Sequence, residues 1–280
     1  MTSPAARRPP VITHFAARAG DHNDRAMQGS GMIAAELASR LKTEPVVIGR
    51  PEPALCTNWD TELTAAHPAL LAMAQQYERI FRVGGTPVTA LSRCAVALAT
   101  LPVVAGHRPD AVVVWFDAHA DLNTPHTTTT GYLGGLALSG PLGMWPTGLG
   151  DGLRNENVIL CGARDIDPPE QALIDRGDIT LVGVGPDITA GLRAAIAGRP
   201  VYVHIDCDVL DPGIVPTDYL VPGGLTLDDL RSVAGMLAEH EIVGLEVGEF
   251  EAAEHPASDL VTPGPLLDAL QPLLDKAGAA

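Results

Sequence analysis

The feature that constrains this chain most is the run Val112-Val113-Val114-Trp115-Phe116, five apolar residues with no polar alternation. A strand of that kind is buried on both faces, as in a parallel sheet covered by helices on each side. Such strands deliver functional side chains at their carboxyl ends. Here the run passes into Asp117-Ala118-His119-Ala120-Asp121 and then the polar stretch Leu122-Asn123-Thr124-Pro125. Two carboxylates and an imidazole at alternate positions suit a hard or borderline divalent cation such as Mn²⁺. The bland alternative is a polar turn in which His119 caps a neighbour.

A second run, Val201-Tyr202-Val203-His204-Ile205-Asp206-Cys207-Asp208, ends the same way and continues into Val209-Leu210-Asp211-Pro212. Side chains two apart on a strand share a face, so His204, Asp206 and Asp208 point together. Buried like charges at that spacing repel unless a cation lies between them. Together the two motifs offer four carboxylates and a histidine, enough to bridge two metal ions.

The rest of the chain alternates in the same sense. Val11–Thr13, Pro45–Gly49, Pro87–Leu91, Asn157–Ala163, Ile179–Val184 and Ile242–Val247 read as further strands. Gly20–Gly31 reads as a polar, glycine-bounded loop leading into a helix that ends near Leu41. Thr61–Phe81, Ser92–Val104, Asp187–Ala197 and Leu225–Glu239 read as helices, another opens around Arg164–Glu170, and Pro265–Ala277 closes the chain. Thr127–Gly143 is too rich in Thr and Gly to assign. About eight strands alternating with helices predict an α/β fold, a mostly parallel sheet covered on both faces. With no linker or repeat, residues 1–280 are expected to form one domain.

Eighteen Lys and Arg against 34 Asp and Glu give a net charge of −16, which argues against nucleic-acid or anionic-membrane partners and favours a cationic substrate. No run of apolar residues is long enough for a membrane span. Met1–Pro10 carries Arg7-Arg8 and prolines but no apolar signal core, so a cytoplasmic location is expected. Cys56, Cys94, Cys161 and Cys207 lack Cys-x-x-Cys spacing and are expected to be reduced.

Asp-Ala-His-Ala-Asp-Leu-Asn-Thr-Pro, the Thr127–Thr130 run with Gly131, Asp206-Cys207-Asp208-x-x-Asp-Pro and Gly223-Gly224-Leu225-Thr226 occur here in one order. In that order the chain resembles the arginase-type ureohydrolases over nearly its whole length. The resemblance implies a three-layer α/β/α fold, two Mn²⁺ ions, and hydrolysis of a guanidino C–N bond by a metal-bridging hydroxide. It implies that Asp117 and Asp206 bridge the ions, that Asp121 binds one and orients the hydroxide, and that His119 and Asp208 bind the other. Glu249, in Gly244-Leu245-Glu246-Val247-Gly248-Glu249, matches the glutamate that pairs with a substrate guanidinium. Asn123 and Thr130 match groups that hold an α-carboxylate, Asp167 the acceptor of the α-amino group, and Glu170 a helper beside it. A guanidino amino acid is the implied small-molecule substrate. Arg164 and Asp165 read instead as a structural pair.

Two departures qualify the resemblance. The family carries Gly-Gly-Asp-His, whose histidine is a ligand of the first metal. Gly84-Gly85-Thr86-Pro87 looks like that motif broken, but the family spacing of about 23 residues before Asp117 lands on Cys94. Cys94 is therefore expected to replace the histidine, because a nearby cation stabilises thiolate; otherwise it is a small core residue. A soft thiolate admits Zn²⁺ or Fe²⁺, while the oxygen-rich remainder favours Mn²⁺.

The second departure is Gly134, which stands where arginases carry the histidine that shuttles a proton to the leaving amine. Losing a general acid costs about 10²–10⁴-fold, so efficient hydrolysis of arginine is not expected. His126 and His204 are the candidate substitutes. A less basic Nω-hydroxyguanidine alters the proton demand, and the chain resembles the family branch that converts Nω-hydroxy-L-arginine to L-ornithine and hydroxyurea in D-cycloserine biosynthesis. The alternatives are an arginase with another shuttle and a metal-binding pseudoenzyme; formimidoylglutamase, with its anionic substrate, fits Glu249 less well. Without the long C-terminal extension of some family trimers, a monomer is expected.

Overall fold

In a computed structural model of the chain, residues 10–253 and 262–278 are described. The reading of Met1–Pro10 therefore lies, apart from Pro10, outside the described residues, as do Ala279 and Ala280. The strands are β1 (Val11–Phe15), β2 (Val46–Ile48), β3 (Pro87–Ala90), β4 (Val112–Phe116), β5 (Val158–Cys161), β6 (Thr180–Val182), β7 (Val201–Asp206) and β8 (Ile242–Gly248). They form one eight-stranded sheet in the order β2-β1-β3-β8-β7-β4-β5-β6, parallel at every pairing.

The apolar run of β4 shows why three layers form. Val112, Val114 and Phe116 face a core shared with α1 (Arg25–Leu41), α5 (Ile188–Ile196) and α6 (Leu227–Leu237). That core also takes in α7 (Gly264–Ala269) and α8 (Gln271–Gly278). Val113 and Trp115 face the opposite core, with α2 (Trp59–Arg82) and α3 (Ala97–His107). A strand that must be apolar on both sides is one that two helical layers sandwich. The helix α4 (Pro168–Asp175) follows β5. No helix among the described residues is long and apolar enough to cross a membrane.

Three of the boundaries that differ from the sequence reading have a local reason. The expected loop over Gly20–Gly31 turns helical at Arg25, because Gly29 serves close approach: a Cβ there would collide with the Phe250 carbonyl oxygen. The expected helix over Ser92–Val104 starts late. Ser92 and Arg93 stay outside it, the Ser92 hydroxyl donating to the Ala17 carbonyl at 2.9 Å, and Cys94–Val96 forms a 3₁₀ turn before α3. Leu225–Glu239 is trimmed to α6 by Thr226, whose hydroxyl accepts from the Asp229 N–H at 3.1 Å.

β7 and β8 come late in the chain yet lie between β3 and β4. The connections diverge on either side of them, which opens a crevice at the strands' carboxyl ends. Cys94 follows β3, Glu249 follows β8, Asp206 ends β7 and Asp117 follows β4.

Candidate metal and substrate site

The acid motifs are folded by their own backbone. Asp117 accepts from the His119 N–H at 2.6 Å, Asp208 from the Ala118 N–H at 2.9 Å, and Asp206 from the Asp208 N–H at 2.8 Å. The indole N–H of Trp115 donates to the other Asp117 oxygen at 2.9 Å. His119 Nδ1 stands between carboxylates, 3.2 Å from Asp117 and 3.0 Å from Asp208. Asp121 carries φ +52° and Glu249 φ +62°, left-handed conformations that cost about 1–3 kcal/mol and concentrate at functional sites.

The charges are crowded. Burial first, then the charge of Asp208, pushes the Asp117 carboxyl up to about 6. Burial and neighbouring carboxylates hold Asp121 and Asp206 well above the ordinary range. Burial would raise Asp208 as well, but hydrogen bonding to His119 keeps it low. Buried acids packed in this way are costly unless cations lie among them. Ligand atoms within 4.8 Å of one another occur in three groups among the described residues: Cys94–Asp117–Asp121, Asp117–His119–Asp208 and Cys94–Asp206–Glu249. Asp117 belongs to the first two and Cys94 links the first to the third. The donor set thus fits two divalent cations.

Cys94 is brought to the cluster, whereas Gly84-Gly85 precedes β3 at the sheet's opposite end. The thiol donates to Asp206 Oδ2 at 3.0 Å and lies 3.1 Å from His204 Nε2. Burial, then Asp206 and Glu249, raise it well above an ordinary thiol, so its anionic form calls for a compensating cation. Beneath it His204 is fully buried, stacked on Trp115 with ring centroids 3.5 Å apart and bound to Glu246 at 2.7 Å. Glu246 also accepts from Tyr202 at 2.7 Å and Thr100 at 3.0 Å. His204 is thus a floor under the sulfur.

Glu249 reaches the pocket, but it already has a cationic partner. The guanidinium of Arg93, fully buried, donates to Glu249 Oε2 at 2.6 Å, to Asp21 at 3.1 Å and to Glu251 at 3.1 Å. The other Glu249 oxygen accepts from the Cys94 N–H at 2.9 Å and the Tyr132 hydroxyl at 3.5 Å. Burial would lower the Arg93 pKa, yet Glu249 and its neighbours raise it, so Arg93 stays charged. Desolvation outweighs the Arg93 charge at Asp21 and pushes that carboxyl up to about 6.

A cavity of about 190 Å³ opens over these groups, lined also by Asn123, Thr128, Thr130, Asp167, Glu170 and Tyr219. Asn123 donates to Asp167 at 2.8 Å. Glu170 accepts from the Leu122 N–H at 2.8 Å and the Asp167 N–H at 2.9 Å, tying the loop after Asp121 to α4. The Thr130 hydroxyl accepts from the Tyr132 N–H at 3.2 Å. His119 is the one histidine lining the cavity among the described residues; His126 is exposed and does not line it. The expected Arg164–Asp165 pair does not form. Arg164 donates to the carbonyls of Gly162, Asp208 and Val221 at 3.0, 2.9 and 2.7 Å, bracing the loop after Asp208, while Asp165 lies 4.0 Å from His119 Nε2.

Sequence reasoning missed Arg93, Tyr132, Tyr219 and Glu246. For Glu246 a signal existed: a carboxylate in mid-strand among apolar residues must find a buried partner. Arg93, next to the expected ligand Cys94, offered a weaker one. The two tyrosines carry none.

Fold and donor set together place an acid-rich centre at the carboxyl ends of a parallel sheet. The model of the arginase family matches residues 26–260, and the chain belongs to that family. It is 36% identical over 262 residues, 94% of this chain and 96% of the relative, to an N(omega)-hydroxy-L-arginine amidinohydrolase of Streptomyces lavendulae. To an arginase of Eremothecium gossypii it is 32% identical over 222 residues, 72% of this chain but 53% of that protein. The chain thus spans about half that arginase's length. Among solved structures, Entamoeba histolytica arginase in complex with L-ornithine superposes with a TM-score of 0.79 at 20% identity, covering 96% and 99% of the two chains. The α/β three-layer fold read from the sequence is the fold of these arginases.

Proposed function

We propose that this amidinohydrolase cleaves Nω-hydroxy-L-arginine to L-ornithine and hydroxyurea, with two Mn²⁺ ions as cofactors, in antibiotic biosynthesis of the D-cycloserine type. The observation that carries the reading is the lack of any cavity imidazole besides His119 among the described residues: Gly134 has no side chain, His126 is exposed, and His204 lies under Cys94. The amine departs poorly from a plain guanidinium's hydrolysis adduct without an imidazole shuttle, and the less basic Nω-hydroxyguanidine alters that proton demand. The relative from Streptomyces lavendulae, matched end to end, supports the same substrate.

Cys94, Asp117, Asp121, His119, Asp206 and Asp208 are the residues proposed to hold the ions. When bound, paired divalent cations supply Lewis acidity and make water nucleophilic near neutral pH. Asn123, Thr130 and Asp167 take the amino-acid end of the substrate, with Glu170 fixing their loop. Glu249 orients the hydroxyguanidino group through its remaining lone pairs, since Arg93 and the Cys94 N–H occupy the others. Asp121 receives the proton of the attacking water and returns it to the departing δ-nitrogen, so that one water and one C–N bond are consumed for each ornithine and hydroxyurea formed.

The test is ornithine release by Mn²⁺-loaded protein, comparing kcat/KM for Nω-hydroxy-L-arginine and L-arginine. A strong preference for the former, with hydroxyurea as co-product, is expected. Equal or better use of arginine would refute the substrate assignment, and no turnover of either would favour a metal-binding pseudoenzyme.

A further inference from the structure

Gly134 opens a short 3₁₀ turn, and its φ is not in the left-handed region, so the backbone does not require glycine there. Space does. A Cβ at that position would collide with Tyr132 Cε1 and would lie 2.6 Å from its Cζ and 2.8 Å from its hydroxyl oxygen. The volume that a side chain at 134 would enter is filled by the Tyr132 ring. That ring packs against a cluster of His22, at a centroid distance of 4.5 Å, and Tyr219, at 5.7 Å, which also touch each other at 6.2 Å. His22 is anchored to Asp218 at 3.1 Å. The phenol lines the cavity, with its oxygen 3.5 Å from Glu249 Oε1.

We infer that Tyr132 is the specificity-determining residue of this site: its hydroxyl donates a hydrogen bond to the oxygen of the substrate's Nω-hydroxyl. The inference rests on the substrate reading given above. A guanidinium is a donor-only group with no acceptor atom. A phenol O–H pointed at it finds nothing to donate to there and is left with only the long 3.5 Å contact to Glu249. An Nω-hydroxyguanidine presents an oxygen that accepts. The phenol is thus matched to the hydroxylated substrate and unmatched to arginine, and it holds the place from which an imidazole at 134 would work. Sites built to bond a substrate hydroxyl discriminate strongly against the analogue lacking it.

The experiment compares wild type and Tyr132→Phe, both Mn²⁺-loaded, with kcat/KM measured on both substrates and metal content as a control. Tyr132→Phe is expected to lower kcat/KM for Nω-hydroxy-L-arginine about 10–100-fold, the scale of one buried hydrogen bond. Its use of L-arginine should stay within about threefold of wild type, so that the preference collapses. Equal losses on both substrates, or none on the hydroxylated one, would overturn the inference. A second pair tests the shared space: Tyr132→Ala/Gly134→His is expected to use arginine at least about tenfold better than Tyr132→Ala, and no gain would overturn that part. The two readings fail separately. A wild type that prefers arginine refutes the proposed function; a wild type that prefers hydroxyarginine, with Tyr132→Phe keeping that preference, refutes only the role of Tyr132.

Discussion

On the β4–β7 side of the cavity, Asp117, Asp206 and Asp208 are set by backbone N–H groups, two of them from the acid's own motif and one from Ala118 across to Asp208. On the β3–β8 side, the arrangement depends on side chains far apart in sequence: Arg93 joins Asp21, Glu249 and Glu251 across 72, 156 and 158 positions. The first side is local chemistry at the ends of two adjacent strands. The second is a buried ion cluster that exists only once β3, β8 and the segment before α1 have met. The first side can therefore form from short segments alone, while the second, which carries Cys94 and Glu249, needs distant parts of the chain packed round Arg93.

Substitutions sharpen this contrast. The largest effect is expected from Asp206→Asn, which removes a carboxylate facing the Cys94 thiol and breaks the third ligand group. If cations are held there, activity should fall about 10³-fold or more, the scale of several kcal/mol of charge stabilisation, and metal content should drop with it. Retained metal and activity would break the assignment. Next comes Arg93→Met, which leaves the buried Asp21, Glu249 and Glu251 without their shared cation. A loss of about 3–5 kcal/mol of stability is expected in urea denaturation. A loss below about 1 kcal/mol would show that the cluster is not what fixes this side. The smallest effect should come from Cys94→Ser, where an oxygen replaces sulfur among otherwise intact donors. Cation affinity, read by direct titration, should weaken about 10–100-fold, and unchanged affinity at both sites would remove Cys94 from the ligand set.

The same contrast explains what could be read in the chain. The central strands, the parallel sheet and its two helical layers were legible because β4 is apolar on both faces and β7 is buried along its length, which one arrangement satisfies. The acid motifs were legible because their spacing is their geometry. Cys94 was reached through the family spacing of about 23 residues before Asp117, and the fold brings it to the acid cluster. Tyr132 and Arg93 were not, since nothing local distinguishes a tyrosine that fills the space over a glycine from a surface tyrosine. Gly29 was misread for the same reason: its meaning lies in the Phe250 carbonyl, 221 positions further along the chain. The Arg164–Asp165 pair failed because adjacency in sequence said nothing of the carbonyls that the guanidinium would find.

Trp115 has a consequence of another kind. Its indole N–H is bonded to Asp117 and its face lies on His204, with the two rings 2° from parallel. The other two tryptophans, Trp59 and Trp145, pack edge-on against each other at 5.5 Å. One fluorophore of three is thus wired to the carboxylate shared by two ligand groups. If cations bind there, its native emission is expected to change on loading, and a Trp115→Phe variant supplies the blank against which to read it.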